Sequence, residues 1–168
     1  MADAIIQSVG LNTVQQILGT FDCAGSRSFT DRTSTTLILK TIDLSSILPT
    51  GGLVRIKGSV RVKGTLTWTS YSESFMSRFY LYIGQDGNIV NVGGPSVSSG
   101  SVPFDITLDV DYYALCVNGI LLVFNTSSNN TSYYTGTIIQ VTAYGGNGSA
   151  RGSMSVTSSG TINVYAVN

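Results

Sequence analysis

The feature that most constrains the fold is a strict alternation of apolar and polar side chains between Val54 and Trp68. The apolar side chains occupy the even positions, namely Val54, Ile56, Val60, Val62, Leu66 and Trp68. Basic and hydroxyl side chains occupy the odd positions, and only Gly58 and Gly64 interrupt the apolar series. Because successive side chains of a strand point to opposite faces, the pattern predicts a fifteen-residue β-ribbon with one buried face.

A strand of that length is longer than usual, since at ~3.3 Å per residue it spans roughly 50 Å. Glycines inside strands are typical sites of bulges and bends. We therefore expect the ribbon to bend or bulge at Gly58 or Gly64.

Further strands are predicted on both sides of this ribbon. Residues 35–42 are rich in β-branched side chains, and residues 103–111 alternate again. One hairpin is predicted to turn at Asp86–Gly87 and another at Asn118–Gly119. Polar stretches expected to lie outside strands are residues 21–34, 93–100, 125–132, 145–152 and 158–160. Nine to eleven short strands with almost no helix predict an all-β, antiparallel two-sheet sandwich of jelly-roll type, with a closed barrel as the alternative.

The first twenty residues differ from the rest of the chain. Asn12 and Gln15 match a capping box and Gly19 stands at a helix stop, so a short helix is predicted over residues 13–18. The apolar side chains of this segment are Ile5, Ile6, Val9, Leu11, Val14, Ile17 and Leu18. A helix this short is not stable alone and must dock on its own domain or on another chain. Residues 1–22 are therefore predicted to be a docking arm and residues 23–168 a single β-sandwich domain.

Charge is sparse and unevenly distributed along the chain. Charged residues make up 11% of the sequence, against roughly 25% in an average soluble domain. From Tyr112 to Asn168 the only charged side chain is Arg151. Charge is the usual safeguard against self-association, so this half is expected either to pack against copies and neighbours or to form a neutral, solvated surface. Nine basic residues balance nine acidic ones and no run approaches the length of a membrane span, so neither nucleic acid nor membrane is expected as a partner.

The inventory of reactive side chains is poor. The chain has no histidine, and Glu73 is its only glutamate, which removes the commonest general base and metal ligand. We therefore expect no enzyme, no catalytic residue and no cofactor, with a small β-sandwich hydrolase left only as a third alternative. Cys23 and Cys116 match no metal or redox spacing. Cys116 is expected to be a buried, inert thiol, and the sequence leaves open whether the two cysteines pair.

Two strands are predicted to present charged faces. The basic residues of the ribbon are Arg55, Lys57, Arg61 and Lys63, and the acidic residues of the later strand are Asp105, Asp109 and Asp111. The favoured interpretation is that the acidic face supplies the counter-charge, within the fold or between subunits. The alternatives are an anionic ligand on the basic stripe and a calcium ion, instead of plain solvation, on the acidic one.

Three tyrosines stand beside polar Asn/Ser loops: Tyr133, Tyr134 and Tyr144. Tyrosine gives a large contact area at low entropic cost, so these residues form a candidate ligand surface for carbohydrate or protein. Half-buried tyrosines at strand edges would give the same pattern.

The chain as a whole resembles accessory virion proteins of tailed bacteriophages, such as head-decoration proteins, head fibres and the globular parts of tail fibres. The resemblance is carried by the start MADAIIQSVGLNTVQQILG, by the Gly/Ser/Thr/Asn-rich strands and by the ending GSMSVTSSGTINVYAVN. It implies a β-sandwich module in the virion, a homo-oligomer with a trimer favoured, that attaches to other virion proteins through its N-terminal segment. No functional residue is carried over from it. The alternative is a lectin-like module that binds a host-surface glycan or another receptor.

Overall fold

The computed structural model describes residues 14–70, 73–127 and 130–168, with the backbone alone described for residues 125–127 and 130–132. The strands are β1 (Gln15–Asp22), β2 (Gly25–Arg32), β3 (Ser34–Asp43), β4 (Gly51–Ser70), β5 (Phe75–Ile83), β6 (Gly87–Val97), β7 (Ser101–Val117), β8 (Ile120–Ser127), β9 (Asn130–Gly136), β10 (Ile138–Gly146) and β11 (Arg151–Val167). Within these ranges no helix is long and apolar enough to cross a membrane.

The strands form two antiparallel sheets by nested pairing. β1 and β2 pair with the two halves of β11, while β3 pairs with β10, β4 with β7, and β5 with β6. The large sheet has the order β1-β11-β4-β7-β8-β9, with β2 also on β11, and the small sheet has the order β3-β10-β5-β6. Nested pairs that fold across two sheets define a jelly roll. The predicted jelly-roll β-sandwich is therefore confirmed, with open sheets instead of the alternative closed barrel.

The predicted ribbon is confirmed as β4, the central strand of the large sheet. β4 pairs with β7 from Gly51 to Thr67 and with β11 from Leu53 to Ser70. Its apolar side chains Val54, Ile56, Val60, Val62 and Leu66 are all fully buried between the sheets. The bulge expected at a glycine is wrong, because neither pairing shifts its register at residue 58 or 64; the bend at a glycine stays a prediction.

Close packing explains the two glycines of β4. A Cβ at Gly64 would lie 2.7 Å from the ring of Phe104, which stands opposite on β7, and against the carbonyl oxygen of Ser155. A Cβ at Gly58 would meet the carbonyl oxygen of Thr161 in the same way. The Phe104 ring therefore fills the space that a side chain at residue 64 would occupy, and the strand stays unbroken.

The core lies between the sheets and contains both cysteines. Its largest fully buried side chains are Phe75, Phe79, Leu44, Ile56, Leu66, Leu81, Ile83, Leu108, Leu121, Ile139, Met154 and Ile162. Cys23 and Cys116 are buried and free, so the pairing that the sequence left open is not formed. Burial raises the pKa of the Cys23 thiol to about 11 and also raises that of Cys116. Both thiols are therefore protonated at neutral pH, as an inert core cysteine requires.

The helix predicted over residues 13–18 is wrong, because Gln15–Asp22 is strand β1. β1 pairs with the end of β11, with a register shift between Ile17 and Gly19. This pairing satisfies the backbone and packs Leu18 and Phe21 against the core, which a single turn of helix could not do. The local helical spacing is thus overridden by tertiary contacts.

The other residues of the predicted docking arm have different placements. Val14 and Ile17 are exposed, at 61% and 54%. Ile5, Ile6, Val9 and Leu11 lie outside the described residues. The division into an arm over residues 1–22 and a domain over residues 23–168 stays a prediction.

Several polar stretches expected outside strands are strands. β2 lies within residues 21–34, β6 continues to Val97, β8 and β9 extend into residues 125–132, and β11 continues through residues 158–160. Strand pairing needs only backbone N–H and C=O groups, so Ser- and Gly-rich segments can pair beside a well-defined neighbour.

Both predicted hairpins form, but the turn of the first lies at residues 84–86 and not at Asp86–Gly87, because Gly87 is already the first residue of β6. Asn118 and Gly119 have φ values of 51° and 75°, the left-handed pair of a type I′ turn between β7 and β8. Residues 84–86 join β5 to β6, and Ile83 pairs with Gly87 across that turn.

Replacing Gly64 with Ala is expected to lower the free energy of unfolding by about 1–3 kcal/mol, because the new Cβ must displace Phe104 or the backbone at Ser155. Gly93→Ala is the matched control, since Gly93 lies in β6 and a Cβ there meets no atom within 4 Å. For the control we expect a change below about 0.5 kcal/mol. Urea unfolding followed by the fluorescence of Trp68 measures both variants, and equal midpoints would contradict the packing role of Gly64.

Candidate functional site

The outer face of the large sheet holds the charged residues that the sequence singles out. On β4 and β7 the odd-numbered side chains point away from the core, as their alternating burial shows. The two strands pair through 17 consecutive positions, from Gly51 opposite Val117 to Thr67 opposite Ser101. Because no register shift intervenes, the basic stripe of β4 lies directly beside the acidic stripe of β7.

Two arginines of β4 form ion pairs with aspartates of β7. Arg55 donates from Nε and Nη2 to the two carboxylate oxygens of Asp111, at 2.7 and 2.8 Å. Arg61 donates in the same way to Asp105, at 2.8 and 2.6 Å. Arg55 also lies 5.2 Å from the ring centre of Tyr113. Such two-bond contacts fix the geometry of both partners, so these four side chains form an ordered array on the sheet.

The remaining charged residues of this face have weaker attachments. Asp109 accepts a hydrogen bond from the Ser59 hydroxyl at 2.8 Å. Lys57 stands opposite Asp111, and Lys63 stands opposite Asp105. Within the described ranges neither lysine takes part in an ion pair, because the arginines occupy the carboxylates. Among the residues that the structure describes, neither ammonium group therefore has an ion-pair partner within 4 Å.

The ion pairs shift the titration of their carboxyl groups. Hydrogen bonds from Arg61 and Arg55 hold the pKa of Asp105 and Asp111 below the ordinary value of 3.8. The same hydrogen bonds raise the pKa of both guanidinium groups. A carboxyl whose pKa is lower in the folded state contributes stability above its unfolded pKa and loses it as the pH falls through the folded pKa. The array is therefore intact at neutral pH and weakens only in acid, below about pH 4.

The structure gives no support to the calcium alternative. In the part of the chain that the structure describes, no three His, Cys, Asp or Glu side chains cluster as a metal site would require. Asp105 and Asp111 already accept two hydrogen bonds each from arginine. The charge of each of these two carboxylates is therefore already balanced by a guanidinium group, which disfavours a Ca²⁺ ion there.

One end of the same face is apolar. The side chains of this apolar end are Ile17, Leu53, Tyr113, Leu115, Val117, Ile120 and Phe124. Leu53 stands opposite Leu115, and Val117 stands opposite Ile120 on β8. Their exposed fractions lie between 37% and 54%. The neighbouring side chains of β4, β7 and β8 therefore form an apolar surface beside the charged array, and Ile17 lies apart on β1.

Sequence reasoning missed the apolar end for a definable reason. Residues 112–117 of β7 are apolar on both faces, with Ala114 and Cys116 buried and Leu115 and Val117 exposed. No alternation is visible in such a run. The apolar end could have been found from the numbering of the strand. Tyr113, Leu115 and Val117 are odd-numbered like the aspartates of β7, so they point to the same outer face.

The structure separates the three tyrosines of the candidate ligand surface. Tyr133, which is 66% exposed, and Tyr134 lie on β9 and line a cleft of about 390 Å³ together with residues 84–86. Tyr144 lies on β10 of the small sheet, opposite Arg78. Only the pair on β9 therefore shares a site.

The small sheet also carries an aromatic pair that the sequence analysis did not single out. Tyr80 and Tyr82 of β5 stack with their ring centres 5.1 Å apart. Tyr80 stands opposite Thr142, two residues before Tyr144 on β10. The i, i+2 spacing of two tyrosines on one strand is the signal that could have revealed the pair.

No protein-family model matches the chain, and no curated protein matches it. Among solved structures, one of the infectious bursal disease virus Gx strain is similar over 90% of this chain and 32% of that chain, with 14% identity and a TM-score of 0.38. The cowpea mosaic virus top component, described as naturally occurring empty particles, is similar over 86% and 82% of the two chains, with 11% identity and a TM-score of 0.32.

The similar structures are not all viral. Bacillus endospore appendages, described as a novel family of disulfide-linked pili, are similar over 92% of both chains with 10% identity and a TM-score of 0.25. The chain spans about a third of the bursal disease virus chain. Similarities at these levels define neither a family nor a function.

Replacing Arg55 with Gln is expected to move the pKa of Asp111 back toward 3.8, because the hydrogen bonds that lower it are removed. Asp105 in the same variant is the internal control, since its partner is Arg61 and its pKa should stay low. Carbon-detected NMR titration of the carboxyl resonances measures both groups. An unchanged pKa at Asp111 would show that the ion pair is absent in solution.

Proposed function

We propose that the chain is a non-enzymatic structural protein of a virion. The observation that carries the proposal is the apolar end of the large sheet, where seven large side chains remain 37% to 54% exposed on a folded sandwich. Contiguous exposed apolar surface of this kind marks contacts with other proteins. The near absence of charge after Asp111 supports the same role, because such a surface does little to resist association.

The jelly-roll fold supports the proposal only by analogy. Two-sheet jelly rolls occur in viral capsid proteins and in lectins, and a fold does not by itself determine a function. The exposed apolar end favours an assembly role, since burial against another protein would cover it.

The finer role is capsid decoration, a head fibre or a tail appendage of a tailed bacteriophage, with the N-terminal segment as the docking arm. Support comes from the position at which this segment joins the sandwich. β1 begins at Gln15, which pairs with Val167, and Val167 in turn pairs with Leu53 of the apolar end. The apolar residues that precede Val14 in sequence therefore connect to the sheet at its apolar end. Other virion proteins and copies of the chain are the proposed partners. The resemblance favours a trimer, whereas the charges on β4 and β7 favour a two-fold contact between copies.

The proposal predicts that the chain co-sediments with virions and that Ile6→Asp reduces its incorporation at least about tenfold, because a buried charge is costly at an apolar contact. Ser8→Asp is the matched control, since it adds the same charge to a polar position of the same segment. Quantitative mass spectrometry of purified particles counts the copies. A chain that never sediments with particles contradicts the function, whereas normal incorporation of Ile6→Asp contradicts only the docking arm.

A lectin-like module that binds carbohydrate is the second candidate. The specific observation in its favour is the cleft on β9, where exposed Tyr133 stands beside Tyr134 and Asp86. Aromatic rings beside carboxylate and amide groups can contact the apolar and hydroxyl faces of a sugar.

On this alternative the purified chain binds a glycan, and Tyr133→Ala weakens the binding about tenfold, or ~1.4 kcal/mol. Tyr144→Ala is the matched control, because Tyr144 lies on the other sheet. A glycan array followed by titration of the best ligand measures both variants. No binding to any glycan, or equal losses in both variants, removes this candidate.

A further inference from the structure

We propose that the outer face of the large sheet binds the same face of a second copy of this chain, about a two-fold axis that runs along the strands between β4 and β7. The inference rests on the proposed function in one respect, namely that the apolar end is a contact with another protein. It adds the identity of the partner and the orientation of the contact.

The pairing register makes this face self-complementary. A two-fold axis that runs parallel to β4 and β7, midway between them, places β4 of one copy over β7 of the other. The rotation does not move any residue along the axis, so residues that are opposite each other in one sheet also face each other between the copies. Since β4 and β7 pair through 17 positions without a shift, neighbours within one sheet become partners between copies. Leu53 of one copy then lies over Leu115 of the other.

The charges of the two strands agree with this orientation. Of the two strands beside the axis, β4 carries basic residues on the outer face (Arg55, Lys57, Arg61 and Lys63) and β7 carries acidic ones (Asp105, Asp109 and Asp111). The axis along the strands brings a basic strand over an acidic strand, with Lys57 over Asp111 and Lys63 over Asp105. An in-plane axis perpendicular to the strands would bring β4 over β4 and set like charges against each other. Repulsion of this kind fixes register and orientation at interfaces.

The two lysines are available for such contacts. Neither takes part in an ion pair within the described residues, whereas Arg55 and Arg61 are held by aspartates of their own chain. Each aspartate has lone pairs that its arginine does not use. A lysine from the second copy can therefore approach Asp111 or Asp105 without breaking the ion pair already present.

The size of the face is compatible with a specific contact. At ~3.3 Å per residue and ~4.8 Å between strands, the β4–β7 pair that the axis brings face to face measures roughly 56 by 10 Å. Counted on both copies this is about 1,100 Å², just above the roughly 1,000 Å² expected of a biological interface. The apolar end lies within and beside this area and supplies the surface whose burial drives association, while the charged array selects the orientation.

Other partners fit the face less well. A phosphate-rich partner would meet the acidic stripe of β7 wherever it touched the basic stripe of β4. The other candidate occupant of the apolar end is the N-terminal segment of the same chain. Substitutions in that segment and on the sheet distinguish it from a second copy.

Sedimentation equilibrium of the full-length chain tests the contact. We expect a dimer or an even multiple, and Leu115→Lys should raise the dissociation constant at least a hundredfold. Ile38→Lys is the matched control, because Ile38 is also 44% exposed but lies on the small sheet. Circular dichroism checks that both variants stay folded.

The charge array is tested in the same experiment. Lys57→Glu combined with Lys63→Glu should weaken association at least tenfold, because carboxylates then face Asp111 and Asp105 of the other copy. Arg78→Glu, the same kind of charge reversal on the small sheet, should leave the mass unchanged.

Several results would overturn the inference while leaving the proposed function intact. These are a trimer, a loss of association in the small-sheet controls, and an association that Ile6→Asp abolishes but Leu115→Lys does not. The last result would make the N-terminal segment the occupant of the apolar end. Failure of the chain to sediment with virions would instead contradict the proposed function. The contact between copies would then still be tested by the mass of the isolated chain in solution.

Discussion

The pairing of β4 with β7 continues from Gly51 to Thr67 without a register shift, and the rest of the large sheet depends on it. Because of this constraint, the even-numbered side chains of both strands point into the core and the odd-numbered ones lie on a single outer face. A slip of one residue would bury Arg61 and expose Val62. Glycines at residues 58 and 64 allow the close approach of β11 on the other side of β4, since a side chain at either position would collide with the backbone of Thr161 or Ser155.

The sequence was sufficient for the features that repeat along the chain. Alternation predicted β4, turn chemistry predicted the Asn118–Gly119 hairpin, and the spacing of strands and turns predicted a jelly-roll sandwich. Features that depend on a distant partner were not predictable. β1 has helical spacing but pairs with the end of β11, and β2 is polar but pairs with the other half of the same strand. In both segments the strand forms because it pairs with β11, which is remote in sequence. The local sequence pattern contains no signal of that pairing.

On the outer face, too, the sequence predicts which residues are charged but not which of them pair. The charged residues were identified from alternation alone, and the structure joins Arg55 to Asp111 and Arg61 to Asp105. It leaves Lys57 and Lys63 pointing outward beside an apolar end that no pattern revealed. A face on which four basic residues of one strand lie beside three acidic residues of the next is complementary to its own copy. The tyrosines on β9 form a separate site, so a ligand role and an assembly role would use different surfaces.

The central claim is that this face is an interface between copies in which Lys57 lies over Asp111. The most direct measurement is carbodiimide cross-linking of isotopically light and heavy chains that are mixed before they assemble, followed by mass spectrometry of the linked peptides. The account predicts hybrid pairs, in which a heavy Lys57 peptide is joined to a light Asp111 peptide and the reverse. If an assembled sample gives only light–light and heavy–heavy linked peptides, every link between Lys57 and Asp111 forms within one chain, and the claim is contradicted.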